Sequence, residues 1–153
     1  MESFEASCEA EDVEKWLPHR PPMLLLDRIE RVESGKLWAR KTFRGDEFFL
    51  QGHFPERAVV PGVILCECAL QAGAALLWRS ATVARDVQRL PVVTRMNNVR
   101  FKQTVLPGDS VLIEVELTEQ MAGAFFFTGK VTCNEKVALY LEFACTLVEK
   151  DRV

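Results

Sequence analysis

Eighteen consecutive residues, Pro61 to Trp78, hold a single acidic or basic side chain, Glu67. A run apolar on every face predicts a helix buried inside a protein rather than one lying on its surface. Pro61 suits the first turn, where its missing N–H costs nothing, and the pattern carries the helix to about Arg79. Glu67, Gln71 and the short clean length argue against a membrane span. A helix that needs cover on all sides limits what the rest of the chain can build. A flat sheet would hide only one side of it.

The remaining segments read mostly as strands. Leu24 to Val32 and Lys36 to Phe43 flank the turn Glu33-Ser34-Gly35. After the helix, Asn98 to Gln103 reads as a strand. Ser110 to Thr118 alternates, with Ile113, Val115 and Leu117 on one face and Glu114 and Glu116 on the other. Gly123 to Cys133 follows. Lys136 to Glu149 puts Val137, Leu139, Leu141, Phe143, Cys145 and Leu147 on one face. Asn134-Glu135 and Pro107-Gly108-Asp109 are turn chemistry. Ala10 to Leu17 reads as a short helix ended by Pro18, and residues 44–60 as a loop. The fold class is therefore α+β, with an antiparallel sheet curled around one long central helix, the hot-dog arrangement. Residues 1–9 read as a loose acidic terminus and 10–153 as one domain. Half-exposed strands also favour a homodimer with two sheets joined edge to edge.

A net charge of −3 gives no general pull toward nucleic acid or an anionic membrane. Met1 to Glu14 is acidic and shows no signal-peptide pattern, so the expectation is a cytoplasmic protein. Five cysteines without framework spacing read as free thiols. Cys66 and Cys68 stand two apart on the helix and point to different faces, which makes a poor metal chelate. No metal is expected from this pair.

The chemistry gathers around Gly52-His53-Phe54-Pro55 and the start of the long helix. The N–H groups of Gly62 and Val63 are first-turn donors at the positive end of the helix dipole. Glycine there lets a substrate approach the backbone, and the place suits a carbonyl gaining negative charge. His53 could take a proton from the carbon beside such a carbonyl. Glu67, withdrawn from water, would favour its protonated form and could give that proton to a departing hydroxyl. Phenylalanines, Phe54 and Phe101 among them, could line an acyl channel. Each residue also has a plainer reading: a loop histidine can be structural, a helix glutamate can bond a neighbouring backbone group or Gln71, and phenylalanines at strand spacing are usually core.

In order along the chain stand Leu17-Pro18-His19-Arg20-Pro21-Pro22-Met23-Leu24-Leu25-Leu26-Asp27-Arg28, Gln51-Gly52-His53-Phe54-Pro55, Pro61-Gly62-Val63, Glu67 with Ala69-Leu70-Gln71-Ala72-Gly73, Asn98-Val99-Arg100-Phe101-Lys102 and Pro107-Gly108-Asp109. This series resembles the FabZ-type 3-hydroxyacyl-acyl-carrier-protein dehydratases over residues 10–148. The resemblance implies a hot-dog fold and conversion of a (3R)-hydroxyacyl thioester to a trans-2-enoyl thioester, without cofactor. It implies His53 and Glu67 as the catalytic pair, contributed by different subunits of a dimer, and Gly62 as the oxyanion donor. It also implies assembly of such dimers into hexamers and an acidic acyl carrier protein as partner, for which Arg95, Arg100 and Lys102 are candidate contacts. His19 and Asp27-Arg28 fall in a stretch that reads as architectural. Glu56 and Ala58 stand where the family usually has glycine and a second proline, so the His53 loop is expected to be looser. With Cys66 and Cys68 beside Glu67, these departures suggest a specialised paralogue. A hot-dog thioesterase, a dehydratase-isomerase and a non-catalytic acyl or carrier binder are the rival readings.

Overall fold

Three two-residue turns set the sheet. Ser34-Gly35, Ala122-Gly123 and Asn134-Glu135 all have positive φ at both positions, as the tight turns that match strand twist require. They join β1 (Arg28–Glu33) to β2 (Lys36–Thr42), β4 (Ser110–Met121) to β5 (Ala124–Cys133), and β5 to β6 (Lys136–Glu149). With β3 (Arg89–Phe101) they form one antiparallel sheet in the order β1-β2-β4-β5-β6-β3. Among the described residues the α-helices are α1 (Ala10–Trp16) and α2 (Gly62–Arg79), and 3-10 turns span Phe48–Leu50 and Lys150–Arg152. This computed structural model describes residues 10–79 and 88–153. The expected loose terminus at 1–9 lies outside the described residues.

The curl expected around the central helix is present. α2 packs against β2, β3, β4, β5 and β6, and its buried side chains meet the inner face of the sheet. Contact is close enough to demand a missing side chain. A Cβ on Gly73 would lie 2.7 Å from the Phe143 ring, which itself stacks on Phe127 at 4.8 Å. α1 closes one end, packing on β1 and α2, with the Arg79 guanidinium 3.7 Å from the centre of the Trp16 ring.

Several boundaries differ from the sequence reading, and four starts have a physical reason. The helix starts at Gly62, with Pro61 just ahead and accepting from Ile64 N–H. β5 starts at Ala124, because Gly123 belongs to the turn. β1 starts at Arg28, since the backbone of Leu25 is bonded to a helix side chain rather than to a strand. β3 begins nine residues before Asn98. Pro91 sits in that early half, tolerated because among the described residues β3 pairs only with β6 and its other edge is free. Asn98 takes positive φ within an irregular stretch of the β3–β6 ladder, so the asparagine pair marks a bulge inside the strand.

The cover over α2 is also incomplete. Val63, Glu67 and Leu70 recur at helical spacing on a partly open stripe, with Val63 69% exposed. The reading of α2 as apolar and hidden all round is corrected on this side.

Candidate active site

His53 is held at the end of a loop that closes on itself. Its N–H donates to Leu50 O, its carbonyl accepts from Val59 N–H at 2.9 Å, and Phe54 and Arg57 exchange two backbone bonds. The ring is fixed as well: Nδ1 lies 2.9 Å from Val59 O. A carbonyl only accepts, so Nδ1 carries the hydrogen and Nε2 keeps its lone pair. Phe54 stacks on the ring at 4.5 Å between centres.

The loop is tied to the sheet by a buried ion pair. Lys41 Nζ on β2 meets Glu47 Oε1 at 2.9 Å and Asp27 Oδ1 at 3.8 Å. Lys41 and Glu47 are both almost fully buried, and Glu47 Oε2 has no partner. The sequence reading missed this pair. Lys41 shares a period of two with Leu37, Ala39 and Phe43, all buried, so its inward position was there to be read.

An open pocket of about 540 Å³ joins this loop to the start of α2. His53, Gly62, Val63, Phe101 and Lys102 line it, together with Thr104 and Val105. Gly62 is required by packing as well as by any ligand: a Cβ there would fall 2.6 Å from the Phe101 ring. The N–H groups of Gly62 and Val63 belong to the helix's first turn and find no acceptor within its own ladder. The pocket therefore combines a lone pair on a fixed imidazole, paired backbone donors and apolar walls.

Of the residues expected in the site, Glu67, Phe54, Arg95 and Arg100 do not line this pocket in the single chain. Phe54 covers the His53 ring instead. Arg95, Arg100 and Lys102 are exposed, and the Arg95 guanidinium lies 5.8 Å from the centre of the Phe126 ring. Glu67 is not withdrawn from water as expected: its side chain is 28% exposed. It faces the segment before β1, where His19 Nε2 lies 3.8 Å from its Oε1.

The fully buried polar side chain of α2 is Gln71, one turn on from Glu67. Its Oε1 accepts from Leu25 N–H at 3.0 Å, and its Nε2 donates to Met23 O at 2.7 Å and to Glu67 Oε1 at 3.0 Å. The sequence reading offered Gln71 as a hydrogen-bond partner of Glu67, which the structure shows, and gave no sign of its bonds to Met23 and Leu25. Cys66 and Cys68 are buried free thiols, and burial pushes both above the usual thiol range. Among the described residues no cluster of three or more His, Cys, Asp or Glu is placed to hold a metal ion.

Comparison with known proteins shows where this arrangement belongs. The fold is shared with a chain of the dehydratase heterocomplex ApeI:P from Xenorhabdus doucetiae, at a TM-score of 0.78 and 21% identity over 91% of this chain and 92% of that one. A mutant thioesterase from Pseudomonas aeruginosa also superposes, at 0.69 and 12% identity over 97% and 99% of the two chains. The hot-dog fold is thus common to different chemistries, and sequence likeness decides between them. The model of the FabA-like domain matches residues 17–142. The 3-hydroxyacyl-[acyl-carrier-protein] dehydratase FabZ of Albidiferax ferrireducens is 39% identical over 134 residues, covering 87% of this chain and 89% of that protein. That of Dichelobacter nodosus is 35% identical over 147 residues, covering 92% and 96%. The chain belongs to the FabZ-type family of 3-hydroxyacyl-acyl-carrier-protein dehydratases.

Proposed function

We propose that this protein removes water from a (3R)-3-hydroxyacyl group carried on the phosphopantetheine arm of acyl carrier protein, yielding the trans-2-enoyl thioester. The observation that carries the reading is the bond from His53 to Val59 O, which leaves the Nε2 lone pair free in a pocket shared with the first turn of α2. The thioester carbonyl rests on the N–H groups of Gly62 and Val63, where charge developing on oxygen meets the helix dipole. His53 Nε2 takes the α-proton as general base. A protonated Glu67 gives its proton to the β-hydroxyl, which leaves as water as the α–β double bond forms. Proton return from His53 to Glu67 resets the site. No cofactor takes part.

Glu67 reaches this pocket from a second copy of the chain. Two features of the single chain support a dimer. β3 presents a thirteen-residue free edge with Val93, Met96 and Phe101 exposed, and α2 leaves its Val63–Glu67–Leu70 stripe partly open. Joining two copies along β3 covers both features and extends the sheet. The family likeness extends this to three dimers in a hexamer. Lys102 at the pocket, with Arg95 and Arg100 along the same segment, suits an acidic carrier protein. The enzyme is soluble and cytoplasmic, and serves fatty-acid synthesis or a polyketide-type route.

The reverse reaction provides the test. Purified protein hydrates a crotonyl thioester to the 3-hydroxybutyryl product, and His53→Ala and Glu67→Gln each remove nearly all of that rate. Full activity in either variant rejects the assignment. Release of free thiol without hydration would instead identify a thioesterase.

A further inference from the structure

Glu67 has an imidazole beside it in its own chain, and it is not His53. His19 Nε2 stands 3.8 Å from Glu67 Oε1, and the two side chains are exposed to a similar degree, 31% and 28%. The other ring nitrogen, Nδ1, is buried and has no partner. That asymmetry selects the tautomer. A buried N–H without an acceptor costs more than a buried lone pair without a donor. The hydrogen therefore sits on Nε2, the nitrogen that faces Glu67.

The backbone around His19 is braced. The Arg20 guanidinium donates from one nitrogen to Leu17 O at 2.8 Å and to His19 O at 2.7 Å. Leu17 is buried and donates its own N–H to Val13 O at the end of α1. On the far side of the segment, Met23 and Leu25 are bonded to Gln71. The same Gln71 donates to Glu67 Oε1. Two donors from two braced elements thus converge on one carboxyl oxygen. At 3.8 Å the His19 approach is longer than a hydrogen bond, and a shift of under about 1 Å in either side chain closes it.

We propose that His19 is a positioning residue for Glu67: with Gln71 it holds Oε1 as the accepting oxygen, so that the acid's proton sits on Oε2 and points at the departing hydroxyl. In a protonated carboxyl one oxygen accepts and the other carries the hydrogen. Donors fixed at Oε1 decide which is which and hold the group at a single angle. The inference rests on Glu67 being the acid of the proposed dehydration. It gives a chemical role to a histidine that the sequence reading took as architectural.

The test compares His19→Leu with His19→Gln, the second of which keeps an N–H donor near the place of Nε2. Hydration of a crotonyl thioester by His19→Leu falls in kcat by about 10- to 100-fold, as expected when an acid loses its alignment, while KM stays within about threefold. His19→Gln returns kcat to within about threefold of the parent enzyme. Crystal structures of the two variants show the Glu67 carboxyl in its parental orientation with glutamine and rotated away with leucine. Parental kcat in His19→Leu overturns the proposal. Equal losses in both variants, together with lowered melting temperatures, also overturn it by assigning His19 to packing. An inactive parent enzyme would refute the dehydratase reading, and the Glu67 orientation in the two variant crystals would then decide the positioning role alone.

Discussion

Replacing Gln71 by leucine probes the joint that holds α2 to the segment before β1. The side chain is 1% exposed and makes three hydrogen bonds. Their loss is unequal. Leu25 is buried, so its N–H is left without an acceptor at about 1–3 kcal/mol. Met23 is exposed, and its carbonyl recovers a bond from water, so that loss is about 0.5 kcal/mol. Glu67 is partly exposed and rehydrates. The new leucine buries apolar surface in place of an amide and offsets about 1 kcal/mol. The net destabilisation is about 0.5–2.5 kcal/mol. For a chain of this size each kcal/mol lowers Tm by about 2–4 °C, so the midpoint falls by about 1–10 °C. Thermal and urea unfolding followed by circular dichroism measure the loss. Amide exchange by NMR locates it, with the Leu25 N–H losing its protection. An unchanged Tm with Leu25 still protected would refute the assignment of Gln71 as the joint.

Two further outcomes follow from the charged groups. Glu47→Ala leaves Lys41 buried without its close partner and costs about 3–5 kcal/mol by urea unfolding, whereas the double replacement Lys41→Met with Glu47→Leu recovers most of it. A single replacement no more costly than the double would contradict the buried pair. The Arg40 guanidinium, bonded to Glu30 at 2.9 and 3.3 Å and helped by Arg28, holds the Glu30 carboxyl below its ordinary value of 4.5. A depressed carboxylate stabilises the fold above that ordinary value and loses its contribution as pH falls through the folded-state value. The stability gap between the parent protein and Glu30→Gln is therefore full at neutral pH and closes as the solution is acidified below 4.5. A gap that widens on acidification would reverse the sign and sink the reading.

Much of this architecture was legible because it rests on local rules. The apolar run from Pro61 forced a central helix, and strict alternation in β4 and β6 gave their inward faces. Glu33-Ser34-Gly35 and Asn134-Glu135 marked two of the hairpins, while the Ala122-Gly123 turn went unread and Gly123 was counted in its strand. The early half of β3 was hidden because Pro91 and the asparagine pair carry turn signals. Only tertiary context, a free edge and a bulge, reverses their meaning. Lys41 was readable from its place between Ala39 and Phe43, but a lysine on an inward position shows its reason only when Glu47 arrives from the following loop. The candidate site divides the same way. The pattern singled out His53, Gly62, Val63 and Phe101, and the structure brings them to one pocket. It gave no sign of the Val59 carbonyl that fixes the His53 tautomer, since a backbone oxygen six residues on has no sequence signature. Glu67 was taken as buried because it stands inside a run apolar on every face, and α2 turns it instead toward the partly open stripe.

Co-expression of the His53→Ala and Glu67→Gln chains tests most directly whether dehydration runs on a pair divided between two copies. Each variant alone is inactive. In mixed dimers one site regains both residues, and random pairing restores about one quarter of the parent rate of crotonyl thioester hydration. No recovery, in dimers shown by mass measurement to be mixed, would contradict the account.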